Sequence, residues 1–212
     1  MKVLLVAGGS IASWPALTSE YDVYIGIDRG SLYLLEAGYR VDLAIGDFDS
    51  LSPVEKESVF EHAIKTITAP AEKDETETQL ALSYALTHYQ AATIEMIGMT
   101  GGRLDHFLAN LWMVLEPRFK PYSAQIMLRD RQNTVSYLLP GEYQIEQIPE
   151  MKYLGYCCLT PVENLTLRYS KYTLNQVTIP HPMSLASNEF IEKTAYISFD
   201  EGIIAVIQSK DE

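Results

Sequence analysis

For roughly its first 130 residues the chain repeats one unit, a short apolar run followed by an amphipathic segment. The apolar runs cover residues 3–7, 23–27, 43–45, 63–68, 93–99 and 125–128. Runs this short and this apolar suit strands buried on both faces. The segments between them read as helices. Residues 31–37 carry Leu32 and Leu35 on one face, with Gly38 placed as a C-terminal cap. Ser52-Pro53-Val54-Glu55 is a capping box with Pro at the first helical position, and it opens a helix to about His62. Residues 76–89 repeat Leu80, Tyr84 and His88 on one side, and residues 104–116 space Leu104, Phe107, Leu108, Leu111, Trp112 and Leu115 helically before Pro117. Strands alternating with helices predict a mostly parallel sheet with helices on both faces, an α/β fold.

The pattern changes near Asp130. Residues 134–138 and 142–148 flank Pro140-Gly141 and read as a hairpin. Residues 165–169, 172–179, 190–199 and 203–207 are rich in β-branched and aromatic residues, broken by Asn, Pro and Gly. They predict an antiparallel, β-sandwich-like C-terminal domain. The expected division is 1–130 and 131–212, with the boundary between residues 129 and 133.

Composition narrows the function classes. The 212 residues carry a formal net charge of −12, which argues against general affinity for nucleic acid or anionic membrane. No apolar run approaches the roughly 20 residues that span a bilayer. The opening residues meet Gly8-Gly9 after a very short apolar stretch, which suits a first strand and its turn better than a signal peptide. The two cysteines are the neighbours Cys157 and Cys158, giving no disulfide framework and no metal spacing. That usage fits a reducing cytoplasm.

Chemistry concentrates in the turns after the strands. Residues 45–50 read Ile-Gly-Asp-Phe-Asp-Ser, directly after an apolar run. In extended chain Asp47 and Asp49 would project from one side. Two carboxylates so close repel unless a cation sits between them or one stays protonated. Mg²⁺ is a hard cation suited to carboxylates, waters and phosphate oxygens. Asp28 follows the run 23–27, Asp74 lies between the run 63–68 and a helix, and Asp105 follows the run 93–99. In a doubly wound sheet these are the places where ligands bind. Each Asp alone is equally well explained as a helix N-terminal residue. Their number on one edge is what points to a divalent metal.

Cations and glycines interleave with the acids. Arg29 and Gly30 follow Asp28, and Lys73 precedes Asp74. Thr100-Gly101-Gly102-Arg103-Leu104-Asp105-His106 turns from strand into helix. Paired glycines let backbone N–H groups approach phosphate, and a helix N-terminus adds positive potential. Arg103 can fork onto phosphate oxygens, while Lys73 supplies a point charge. His106 either faces the same cleft or serves as a capping or surface histidine.

Taken in order, these segments resemble the thiamine pyrophosphokinase family over essentially the whole chain. Gly26-Ile27-Asp28-Arg29-Gly30 resembles the family's Asp-Gly-Gly segment, and Gly46-Asp47-Phe48-Asp49-Ser50 matches its acidic signature. Lys73-Asp74-Glu75-Thr76-Glu77-Thr78 resembles its Lys-Asp-x-Thr-Asp segment, and Gly101 to His106 matches its Gly-Gly-Arg-x-Asp-His segment. Ser187-Asn188-Glu189-Phe190 resembles the Ser-Asn segment of its β-rich domain. Arg29 stands where the family usually has Gly, and Glu77 where it usually has Asp.

The resemblance implies transfer of a pyrophosphoryl group from ATP to the hydroxyl of thiamine, giving AMP and thiamine diphosphate. It implies a homodimer, with thiamine held between the α/β domain of one subunit and the β domain of the other. In that reading Asp47, Asp49 and Asp74 ligate Mg²⁺, with Glu77 joining them directly or through water. Asp28, Arg29, Gly30, Lys73, Thr100, Gly101, Gly102, Arg103, Asp105 and His106 serve the nucleotide, and Asp49 or Asp74 accepts the hydroxyl proton. Ser187 and Asn188 help hold thiamine, their alternative being an ordinary polar turn before the strand at Phe190. Two rival readings are another Asp-x-Asp metal-dependent nucleotidyl or glycosyl transferase, or a hydrolase, and a non-catalytic nucleotide-sensing module.

Overall fold

The computed structural model describes residues 1–17, 20–69 and 75–211. The chain divides into two compact units, one of Met1–Met113 with Leu128–Arg131, the other of Val114–Met127 with Gln132–Glu212.

In the first unit β1 (Lys2–Val6), β2 (Val23–Ile27), β3 (Leu43–Gly46), β4 (Thr66–Thr68) and β5 (Thr93–Ile97) alternate with α1 (Arg29–Glu36), α2 (Pro53–His62), α3 (Glu77–His88) and α4 (Leu104–Trp112). The strands run parallel in the order β5-β1-β2-β3-β4, and β6 (Ile126–Arg129) follows β5. Leu4, Val6, Tyr24 and Ala44 close one core with Leu32 and Leu34 of α1 and Val59 of α2. Their neighbours Val3, Leu5, Ile25, Ile27, Leu43 and Ile45 are equally buried. Because successive strand residues face opposite sides, both faces of the sheet are covered. Helix α3 packs on β1, β2 and β3 through buried Ala81, Leu82 and Ala85.

The expected caps form. Gly38 takes φ +79° after α1, and Ser52 and Glu55 make both bonds of their capping box. Strand β4 is shorter than its apolar run, because α2 extends to His62 and the chain reaches strand geometry at Thr66. Helix α4 tightens into a 3₁₀ turn at Met113–Leu115. It buries Asn110 and Leu111 and leaves Leu104, Leu108 and Trp112 exposed.

The second unit holds β7 (Asn133–Leu138), β8 (Gly141–Glu146), β9 (Tyr153–Cys158), β10 (Val162–Arg168), β11 (Leu174–Ile179), β12 (Met183–Glu189), β13 (Thr194–Phe199) and β14 (Ile204–Ser209). All observed pairings here are antiparallel, β12-β9-β14-β7 in one layer and β11-β10-β13-β8 in the other. The hairpin expected around Pro140-Gly141 does not form. Strand β7 pairs with β14 and β8 with β13, so the turn carries the chain from one layer to the other. Burial explains the choice, since Leu138, Tyr156 and Val206 from one layer and Leu165, Ile197 and Phe199 from the other fill one core. Residues 190–199 are not one strand, because the chain bends between β12 and β13. Ser187 and Asn188 are not a turn either. They belong to β12, at a register shift in its pairing with β9.

The α1 corner brings main chain close to main chain. A Cβ on Gly30 would lie 1.9 Å from the Val6 carbonyl oxygen, and both partners are main chain. A Cβ on Gly102 would meet nothing within 4 Å. Gly30→Ala is therefore expected to lose at least about 3 kcal/mol in urea denaturation, and Gly102→Ala less than about 0.5 kcal/mol.

Candidate active site

A cleft of about 770 Å³ opens within the first unit, beyond the carboxyl ends of β1, β2, β3 and β5. Its lining includes Gly8 and Gly9 after β1, Asp28 after β2, Asp47 and Asp49 after β3, and Thr100 and Gly102 after β5. Glu77 enters from the first turn of α3, and Arg103, Asp105 and His106 from the start of α4.

The acidic side of this cleft is built on close main-chain approaches. Gly9 N–H donates to the Gly98 carbonyl at 3.1 Å, and a Cβ on Gly9 would come within 2.5 Å of that same oxygen. Asp28 holds φ 48° and ψ −121°, a disfavoured setting for a residue with a Cβ. Its Oδ1 accepts the Phe48 N–H at 3.1 Å and lies where a Cβ on Gly46 would come within 1.8 Å. Gly46 is thus what gives the Asp28 carboxylate its room.

Asp47 and Asp49 do not sit on an extended segment. Phe48 between them takes φ 58°, and Asp49 N–H donates back to Asp47 Oδ1 at 3.0 Å. The cause is the Phe48 ring, which is 1% exposed in the core of the first unit, edge-on to Phe60. Burying that ring turns the chain, and both carboxylates still reach the cleft.

Asp28, Asp47 and Glu77 each bring a carboxylate oxygen within 4.8 Å of the others. Asp49 lines the cleft but lies outside this trio, and Lys73 and Asp74 fall outside the described residues. Desolvation, and then the charges of Glu77, Asp47 and Asp49, push the Asp28 carboxyl up to about 6, against the opposing Phe48 N–H bond. The donor set is entirely carboxylate oxygen, which suits a hard divalent cation such as Mg²⁺.

Two arginines, Arg29 and Arg103, also line the cleft. Arg103 is the N-cap residue of α4 and makes no side-chain cap bond, and Asp105 in the first turn accepts the His106 N–H. Its guanidinium pairs with Asp105 at 2.6 and 3.2 Å, a pairing that holds the Asp105 carboxyl below its usual range. Gly101 takes φ +78°, a left-handed setting that glycine adopts freely. Gly30 does not line the cleft; it is buried against β1. Arg29 does line it, while its guanidinium donates to the Ser50 carbonyl and to Glu55 Oε1.

Two residues here had no sequence signal. Asp130, after β6, accepts the Thr100 hydroxyl at 2.6 Å, and Asn110 on α4 donates to the Met99 carbonyl at 3.3 Å. Both hold the loop after β5 from outside its own motif. Asp130 reaches the loop because β6 lies beside β5.

In the second unit Asn188 is 4% exposed. Its Oδ1 accepts from the Tyr172 and Glu189 N–H groups, and its Nδ2 donates to Ser170 Oγ and the Tyr172 carbonyl. Every hydrogen-bonding position of that amide is thereby used within the unit. Ser187 beside it takes φ 62° and is exposed.

With this geometry, the thiamin pyrophosphokinase catalytic domain family matches residues 14–127 and the thiamin pyrophosphokinase vitamin B1 binding domain family matches residues 142–204. The chain belongs to the thiamine pyrophosphokinase family. Thiamine pyrophosphokinase of Bacillus subtilis (strain 168) is 37% identical, with all of both chains covered. The structure of a thiamin pyrophosphokinase family protein from Enterococcus faecalis superposes with TM-score 0.96 at 57% identity, over all of both chains. Thiamin pyrophosphokinase from Geobacillus thermodenitrificans superposes with TM-score 0.86 at 34% identity, over 100% of this chain and 99% of that one. Membership makes the chain an enzyme with thiamine diphosphokinase activity. No helix of the described residues is long and apolar enough to cross a membrane.

The raised Asp28 carboxyl gives a signed pH dependence. The folded chain holds that proton more tightly than the unfolded chain, whose value is near 3.8. Its contribution to stability is full below about pH 4 and is lost as pH rises through about 6. Melting in metal-free buffer should therefore show this loss. Asp28→Asn, which keeps an oxygen for the Phe48 N–H, should flatten the profile and melt higher than the parent at pH 7.5.

Proposed function

We propose that this cleft transfers the pyrophosphoryl group of ATP to the hydroxyl of thiamine in a Mg²⁺-dependent reaction, giving thiamine diphosphate and AMP. The observation that carries the reading is the meeting of Asp28, Asp47 and Glu77 oxygens within 4.8 Å, in a cleft that Arg103 at the N-terminus of α4 also lines. These three carboxylates are the residues that would hold Mg²⁺, and Asp74 is assigned to the same ion from its place in the sequence. When held there, the ion would supply positive charge against the phosphates.

The remaining work falls to the chain itself. Arg103 exchanges its exposed partner Asp105 for phosphate oxygens, and the Gly101-Gly102 backbone and the N-terminal end of α4 support the same anion. Lys73 contributes a further positive charge, and His106 faces the nucleotide. Thr100 donates its hydroxyl to Asp130, so its share is to hold the loop. Asp49, in the cleft but apart from the trio, is the group we assign to accept the thiamine hydroxyl proton. Alignment of hydroxyl, phosphorus and leaving oxygen supplies much of the rate.

Thiamine is held with help from the second unit, where the saturated Asn188 amide fixes the bulge and Ser187 is the exposed group beside it. The working form is a homodimer, in which one copy's β-rich unit serves the other copy's cleft. Cytoplasmic placement belongs to the same proposal and suits the free thiols of Cys157 and Cys158.

Incubation with ATP, Mg²⁺ and thiamine should yield AMP and thiamine diphosphate in equal amounts by chromatography. ADP with thiamine monophosphate would contradict the pyrophosphoryl transfer. Asp47→Asn should lower kcat at least about 100-fold and raise the Mg²⁺ requirement. Asp49→Asn should lower kcat comparably while the Mg²⁺ requirement stays put. A shift in that requirement would move Asp49 from proton acceptor to metal ligand.

A further inference from the structure

Arg29 follows Asp28 directly and lines the cleft, yet its charge is committed away from the acids. Its guanidinium donates to the Ser50 carbonyl and, at 3.3 Å, to Glu55 Oε1. Ser50 closes the turn that carries Asp47 and Asp49. Glu55 sits in the first turn of α2 and is itself fixed, its Oε2 accepting the Ser52 N–H at 2.7 Å within the capping box. One side chain thereby joins the Asp28 corner to both ends of the Ser50–Glu55 segment. Asp28 Oδ1 makes a second link by accepting the Phe48 N–H at 3.1 Å, so the two acid-bearing corners are tied on either side of the carboxylates. The ion pair is sheltered, its side chains 29% and 34% exposed.

We propose that Arg29 is a positioning residue: with Glu55 it clamps the Asp47–Ser50 turn against the Asp28 corner, holding the carboxylates ready for a divalent cation. The proposal rests on the reading of the trio as a cation site. Without the clamp the turn has to be ordered when the ion arrives, and affinity falls by that ordering cost. The clamp also draws the guanidinium toward Ser50 and Glu55 and not toward the three carboxylates.

Calorimetric titration of Mn²⁺ into the full chain, without nucleotide or thiamine, tests this apart from turnover. Arg29→Ala should weaken Mn²⁺ binding about tenfold, in the range measured for outer partners of metal ligands. Glu55→Gln keeps an acceptor for the Ser52 N–H but loses the charge pair, and should weaken it comparably. The double variant should be no worse than either single one, because both remove the same link. Arg29→Lys keeps the charge but reaches one acceptor at a time. It should lose less and guards against a folding defect in the alanine variant. Unchanged Mn²⁺ binding in Arg29→Ala with a raised KM for ATP would overturn the clamp and make Arg29 a phosphate ligand. So would unchanged binding in Glu55→Gln. A parent protein that takes up no Mn²⁺ would overturn the cation-site reading as well, which is a different result from a parent that binds and variants that bind equally.

Discussion

Three carboxylates with oxygens within 4.8 Å of one another repel, and the first unit is arranged to resist that repulsion. Each pair of unit charges at that separation costs about 3 kcal/mol at an effective dielectric near 20. Asp28 keeps its proton up to about pH 6, first because it is desolvated and then because of the charges of Glu77, Asp47 and Asp49. An isolated strand end could swing its acid away. Here Asp28, Asp47 and Glu77 sit on separate elements, each fixed by its own packing, so relief by movement is closed and relief by a counterion is open.

What closes it is backbone proximity. Gly30 brings α1 against the Val6 carbonyl, and Gly46 leaves space that the Asp28 carboxylate fills. Phe48 sinks its ring into the core and turns the chain between the two aspartates. In the first two cases a Cβ would displace a neighbour within 2 Å. Asp28 accepts a disfavoured φ of 48° in this corner, the kind of local strain that persists only where the surroundings over-determine it. The parallel sheet makes the convergence possible by presenting its strand ends on one edge.

The α/β layout and the acid-bearing turns were legible in the sequence because both are local. Apolar runs, the Ser52–Glu55 capping box, Gly38 and the acids after strands need no knowledge of the rest of the chain. Features that depend on distant partners were not legible. The Pro140-Gly141 turn looks like a hairpin locally. Only the shared core of Leu138, Ile197 and Val206 sends its two strands into different layers. Strand β9 (Tyr153–Cys158) lies outside the strands read from the sequence; its partners are β12 and β14. Spacing by two suggested that Asp47 and Asp49 share one side, but the burial of Phe48 decided how they reach the cleft. Asp130 and Asn110 hold the loop after β5 through contacts that no local pattern announces.

The two arginines of the cleft show how partners, rather than residue type, divide the roles. Arg103 pairs with Asp105 in open solvent, with side chains 73% and 63% exposed. An ion pair in that setting contributes about 0–1 kcal/mol, so exchanging it for a phosphate costs little. Arg29 is sheltered and bonded to a backbone carbonyl as well as to a carboxylate that caps a helix. Releasing it would give up its bonds to the Ser50 oxygen and to Glu55 together. The same guanidinium therefore serves as an exchangeable anion receptor at the start of α4 and as a fixed strut at the start of α1. The strut stands on the side of the cleft where the carboxylates crowd.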